Sequence, residues 1–114
     1  MKVYSLKNCD TCKKALIWLT AEGLDHTVQD VRADGISRDE ITAIVTTLGW
    51  DQAVNRRSTT WRNLSDADRA GLDNDKAIEL IVANPTLMKR PVIIDDAGQM
   101  TVGFTAAIQA QLKG

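Results

Sequence analysis

Apolar residues run through this chain in two rhythms: short β-rich blocks at both ends and helical spacing between them. Met1 to Leu6 is brief, with β-branched Val3 and aromatic Tyr4 at its centre, and predicts a strand. Lys7-Asn8-Cys9-Asp10 follows as a loop. From about Thr11, the run Cys12-Lys13-Lys14-Ala15-Leu16-Ile17-Trp18-Leu19 predicts a helix, and Gly23 ends it as a C′ glycine free to take positive φ. His26 to Val31 alternates loosely and predicts a second strand. Strand, helix and strand over so short a span form a βαβ unit, parallel and right-handed by the usual chirality.

The middle of the chain changes period. Ser37-Arg38-Asp39-Glu40 has the spacing of a capping box, ahead of an apolar stripe at Ile41, Ile44, Val45 and Leu48 that Gly49 closes. Asn55 to Leu64 is polar with Trp61 embedded, and Ser65-Asp66-Ala67-Asp68 opens another short helical piece. Asn74 to Ala83 predicts a further helix with Ile78, Ile81 and Val82 on one face, broken at Asn84-Pro85. Residues 37–84 thus form a helical insertion. The end returns to β: Val92-Ile93-Ile94, the turn Asp95-Asp96-Ala97-Gly98, and Met100-Thr101-Val102 predict a hairpin. Thr105 caps a last helix carrying Ile108 and Leu112. The order β-α-β, helices, β-β-α is an α/β thioredoxin-like arrangement with a helical insertion between its two halves.

Composition narrows the function classes. A chain of 114 residues is expected to form one domain, residues 1–114. Surface scaling gives roughly 6,000 Å² folded against about 18,000 Å² unfolded, enough burial for a core without staples. With 44% hydrophobic and 25% charged residues, the chain is not of the disordered type. Fourteen Lys and Arg against fifteen Asp and Glu leave a net charge of −1, so no broad basic face for duplex nucleic acid is signalled. No apolar run is long enough to span a bilayer, and Met1-Lys2-Val3-Tyr4 has no signal-peptide h-region. The expectation is a soluble cytoplasmic monomer with no nucleic-acid or membrane partner.

The two cysteines, Cys9 and Cys12, form one C-x-x-C. A disulfide over two intervening residues removes little chain entropy, which makes a structural staple a poor explanation. A zinc half-site, a redox or nucleophilic pair, and a coincidence of small buried residues are the readings that remain. Zinc needs four ligands, whereas the chain holds two cysteines and the single histidine His26, so no metal site is expected. A C-x-x-C before a helix in a βαβ unit favours redox chemistry. Cys9 falls between a strand and the N-terminus of a helix, where unpaired N–H groups and partial positive charge stabilise a thiolate. Lys7, Lys13 and Lys14 flank it in sequence. In this geometry Cys9 is the exposed nucleophile, and Cys12, within the first turn, is the more buried resolving thiol.

Other polar groups are distant in sequence. Arg90-Pro91 precedes the hairpin, and in a thioredoxin architecture such a proline is usually cis and faces the active cysteine. Arg90 beside it can donate in a forked geometry to an oxyanion or a carboxylate, or be a solvated surface arginine. Asn55-Arg56-Arg57-Ser58-Thr59-Thr60-Trp61-Arg62 suits either an anion pocket or a solvated loop around a packed Trp61. Trp18 and Trp50 read as core only. The cations Lys7, Lys13, Lys14, Arg56, Arg57, Arg62, Lys89 and Arg90 number eight, so a locally positive mouth is compatible with the near-neutral total.

The chain resembles the arsenate reductase (ArsC)/Spx family, and within it the YffB-like branch. The resemblance spans nearly the whole chain. It is carried by Tyr4-x-x-Lys7-Asn8-Cys9-Asp10-Thr11-Cys12-Lys13-Lys14-Ala15, Asp34-Gly35, Leu48-Gly49-Trp50, Asn55-x-Arg57-x-Thr59-Thr60-Trp61-Arg62, Lys89-Arg90-Pro91-Val92-Ile93 and Val102-Gly103-Phe104. The family implies a thioredoxin-like fold with a helical insertion. In its arsenate reductases one cysteine attacks arsenate, arginines hold the oxyanion, glutathione resolves the adduct and glutaredoxin recycles the product. Cys9 matches the nucleophile, Arg90 the arginine before the proline, and Arg57 the insertion arginine. The third arginine of those enzymes falls near residues 102–104, where this chain has Val-Gly-Phe. The YffB-like branch instead implies a glutathione-dependent thiol–disulfide reductase with no bound cofactor. Cys9 and Cys12 would then be catalytic, and Asn8, Lys13, Arg57, Arg90 and Pro91 would bind substrate. Glutathione or a glutathionylated protein would be the partner, with glutaredoxin a further one. Arsenate reduction is one alternative. The Spx branch implies another, a redox-sensing regulator that binds RNA polymerase through the C-terminal domain of its α chain.

Overall fold

The chain is described by a computed structural model covering Met1 to Gly114. The first strand, β1 (Lys2–Ser5), leads through a short turn into α1 (Asp10–Ala21) and then β2 (Thr27–Asp30). Between β2 and the second pair of strands lie five helices: α2 (Arg38–Leu48), α3 (Trp50–Ala53), α4 (Thr59–Arg62), α5 (Asp66–Arg69) and α6 (Asn74–Ala83), with a single 3₁₀ turn at Pro85–Leu87. The chain closes with β3 (Val92–Ile94), β4 (Met100–Val102) and α7 (Ala106–Lys113). The strands form one sheet in the order β2-β1-β3-β4. β1 runs parallel to β2, as the βαβ reading requires, and antiparallel to β3, which pairs antiparallel with β4.

Strand alternation explains how a sheet this small supports two helical layers. Adjacent residues of a strand point to opposite faces. Val3 and Ile93, partners across β1 and β3, face one side and pack with Leu19 of α1 and Leu112 of α7. Tyr4 and Val92, the next pair, face the other and pack with Ile41, Ile44 and Val45 of α2 and Ala77, Ile78 and Ile81 of α6. The apolar stripes of the insertion are therefore its buried face. The accessible surface is 6418 Å², close to the scaling expectation.

Helix starts follow the sequence signals. Ser37 and Glu40 form both halves of a capping box, and Ser58, Ser65, Asp73 and Thr105 each accept the backbone N–H of the third residue of their helices. α1 is different: its N-cap residue is Cys9, a thiol in place of an oxygen. The first strand is trimmed to Lys2–Ser5, α1 begins one residue early at Asp10, and β2 ends at Asp30; two further differences have a visible cause. The second strand starts at Thr27, because His26 turns its ring Nδ1 onto the Leu24 carbonyl 2.8 Å away. The stretch after Gly49 contains two short helices, α3 and α4, that carry too few residues to show a period.

Glu40 ties the layers together. Its carboxylate accepts from the Tyr4 hydroxyl of β1 at 2.8 Å, from Gln29 of β2 at 3.3 Å and from the Ser37 N–H at 3.1 Å. Lys2 reaches the same carboxylate at 3.4 Å while lying over the Tyr4 ring. Burial pushes the Glu40 carboxyl up, but these donors outweigh it and hold its pKa at about 2.

Candidate active site

Cys9 ends the turn after β1 with extended backbone (φ −99°, ψ 116°) and begins α1. Its carbonyl accepts the Lys13 N–H at 3.0 Å, so the helical ladder starts there and fixes the orientation of the thiol-bearing residue. The sulfur makes no capping hydrogen bond of regular geometry. It nevertheless lies close enough to the N–H groups of Thr11 and Cys12 to be stabilised by them when charged. Burial pushes the Cys9 thiol up. The Cys12 backbone and thiol, the Arg90 charge and the Thr11 N–H oppose this and leave its pKa below the ordinary value.

Cys12, one turn on, is 1% exposed, whereas Cys9 is half-buried. Burial drives the Cys12 thiol up, and a charge on Cys9 drives it further; the Leu6 N–H and the Ser5 hydroxyl relieve only part of this. Both thiols are free. The pair thus divides into an accessible sulfur that favours the thiolate and a covered sulfur that favours the thiol. That division is the one needed for attack by the first and later resolution by the second.

A cleft of about 540 Å³ opens beside α1. Thr11 brings the helix to its rim, Arg56 and Arg57 come from the α3–α4 connection, Lys89 and Arg90 from the segment before β3, and Phe104 from the β4–α7 loop. None of these four cations belongs to any of the ion pairs of the chain, which use Lys2, Arg38, Arg69, Lys113 and the N-terminus. Four unpaired positive charges around one concavity create a field that attracts anions.

Arg90 is the most constrained of the four. Its Nη1 donates to the carbonyls of Thr86 at 2.8 Å and Met88 at 2.7 Å, and its Nε is buried without a partner. The Arg90–Pro91 bond is cis, Pro91 is buried, and the Pro91 carbonyl accepts the Gly103 N–H at 2.9 Å. Pro91 therefore anchors the loop that carries Phe104. Arg56 lies 5.7 Å over the Trp50 ring.

The structure brings only part of the expected set to the cleft. Arg57 and Arg90 line it; Cys9, Cys12 and Pro91 are not on its lining, and α1 reaches it through Thr11, two residues past Cys9. Asn8 lies instead along a smaller cleft with Lys7, Asp30 and Arg32, because the β1–α1 turn directs it toward the end of β2, where the Lys7 N–H is tied to Asp30. Lys13 is exposed on α1 and lines neither cleft; proximity in sequence to Cys9 does not survive the rotation of the helix. Trp18 and Trp50 are only partly buried: Trp18 meets Phe104 edge-on with centroids 5.6 Å apart, and Trp50 supports Arg56. Asp51, Asn55, Phe104 and Thr105 also line the cleft, and sequence reasoning does not reach them as individual site residues. Gly103, at φ +85°, is the available signal for the last two, marking a sharp turn straight after β4.

A C-x-x-C at the N-terminus of the first helix, a cis proline before the third strand and a β2-β1-β3-β4 sheet define the thioredoxin-like class. Within that class, the model of the ArsC family matches residues 4–111, and the chain belongs to the ArsC family. An uncharacterised protein of Haemophilus influenzae is 47% identical over 102 residues, 90% of this chain and 89% of that one. The global transcriptional regulator Spx of Listeria innocua is 33% identical over 104 residues, 90% of this chain and 78% of its own. Among solved structures, the YffB (PA3664) protein superposes with a TM-score of 0.90 at 38% identity, covering 99% of this chain and 98% of that one.

Proposed function

We propose that this protein is a glutathione-dependent thiol–disulfide reductase in which Cys9 attacks and Cys12 resolves. One observation carries the reading. The sulfur favoured as thiolate feels the charge of Arg90, one of four cations that line a single cleft and lack carboxylate partners. Attack by the Cys9 thiolate on a substrate disulfide forms a Cys9–substrate mixed disulfide and expels the other substrate sulfur as a thiolate. Cys12 then gives up its proton and attacks the Cys9 sulfur, releasing the second substrate thiolate and leaving a Cys9–Cys12 disulfide. The substrate gains two electrons and the protein loses two. Two molecules of glutathione restore both thiols and leave as glutathione disulfide. Arg57 and Arg90 hold the carboxylates of the thiol peptide in this scheme, and Arg90 also favours the attacking thiolate by its charge.

The test is turnover of a glutathione mixed disulfide with glutathione as reductant, coupled to re-reduction of the glutathione disulfide formed. The parent protein is expected to turn over, Cys9→Ser to be inactive, and Cys12→Ser to accumulate glutathione on Cys9 by mass. Full activity of Cys9→Ser would refute the scheme. The similarity to the Listeria regulator favours a second reading, in which the same pair switches a transcriptional contact. Capture of the RNA polymerase α C-terminal domain by the reduced or oxidised protein, with no turnover, supports that reading over the first.

A further inference from the structure

The cleft beside the start of α1 is not uniformly positive. Asp51, on the first turn of α3, is the one acid on its lining, among Arg56, Arg57, Lys89 and Arg90. Despite that company it enters none of the ion pairs of the chain. Arg56 is occupied by the Trp50 ring instead. The Asp51 carboxylate folds back over Gly49, so closely that a Cβ at residue 49 would stand 2.9 Å from its Oδ1. Gly49 has φ +84°, a conformation that favours glycine, and so leaves open the space the carboxylate uses.

A free, exposed carboxylate on the lining of a cationic cleft disfavours a purely anionic ligand and favours one that carries a positive group among its negative ones. Glutathione has that pattern: two carboxylates and, at its γ-glutamyl end, one ammonium. Resting on the glutathione reading above, we propose that Asp51 is a specificity residue that receives the γ-glutamyl ammonium while the cleft arginines take the carboxylates. An inorganic oxyanion offers Asp51 no positive group and is repelled by its charge. The residue thus selects an amino-acid thiol over arsenate or phosphate at the same cations. The cleft volume, about 540 Å³, falls within the range of small-ligand sites, roughly 300–1,000 Å³.

The experiment is a set of calorimetric titrations on the reduced protein. Parent, Asp51→Asn and Asp51→Glu are each titrated with glutathione, with N-acetylglutathione, whose ammonium is abolished, and with inorganic phosphate. In the parent, acetylation is expected to weaken binding about tenfold, the low end for a hydrogen bond to a charged group. In Asp51→Asn the two peptides bind alike and phosphate binds more tightly than to the parent. Asp51→Glu recovers part of the preference for the free ammonium. An acetylation effect of the same size in parent and Asp51→Asn, or none in the parent, overturns the role of Asp51 while leaving the glutathione reading in place. Failure of the parent to bind glutathione at all overturns that reading and this one with it.

Discussion

Replacing Glu40 by glutamine isolates the energetics of the junction between sheet and insertion. The carboxylate is held at a pKa of about 2 rather than the unperturbed 4.5 by donors from β1, β2 and its own helix cap. That difference corresponds to about 3 kcal/mol between the charged and neutral forms. The side chain is 27% exposed, so water screens part of it, and a loss of about 2 kcal/mol at neutral pH is expected. The sign follows from linkage. A carboxyl whose folded pKa is depressed contributes its full stability above its unfolded pKa and loses it as pH falls through the folded value. The window therefore runs from 4.5 down to about 2. The glutamine keeps the size of the side chain but has no proton to exchange in this window. Urea unfolding of parent and Glu40→Gln, compared at neutral pH and at about pH 3, should show the deficit of the variant shrinking to less than half. A deficit that is the same at both pH values would show that Glu40 acts through shape alone and would refute the electrostatic account.

Further predictions concern the site and its frame. Gly49→Ala should destabilise the fold by about 1–3 kcal/mol, since φ +84° with ψ 150° is a conformation open essentially to glycine only; thermal unfolding checks it, and an unchanged midpoint contradicts it. Mild oxidation should join Cys9 to Cys12, seen as a loss of two hydrogens by mass and absent in either serine variant; persistent free thiols would contradict the resolving role. Arg90→Met should move the Cys9 titration to higher pH, because it removes a positive charge that favours the thiolate; ultraviolet thiolate absorbance reads the shift, and an unmoved titration contradicts the assignment.

Local signals in the sequence are strong where the chain makes its own contacts. The Ser37–Glu40 capping box, the helical stripe at Ile41, Ile44 and Val45, the β3–β4 turn with Gly98 and the Thr105 cap all depend on neighbours within four residues, and each appears where its pattern places it. The placement of Cys9 before Cys12 at a helix start is equally local. The rest is decided by contacts between distant segments. The capping spacing shows that Glu40 closes a helix, but not that its second role is to receive Tyr4, thirty-six residues earlier in the chain. The cleft joins residues from α1, the α3–α4 connection, the segment before β3 and the loop after β4. Adjacency to Cys9 overvalues Lys13 and Asn8, and it cannot reveal Asp51 or Phe104, which reach the cleft only through the packing of the insertion and the Pro91–Gly103 hydrogen bond.

The titration of Cys9 decides whether this helix start holds a nucleophilic thiolate. In Cys12→Ser a single thiol remains, and its titration by ultraviolet absorbance belongs to Cys9 alone. A midpoint below the free-cysteine value of about 8.5 is expected, with the rate of attack on a disulfide rising through the same midpoint. A midpoint at or above that value would contradict that expectation, since the helix start and Arg90 would then fail to favour the thiolate.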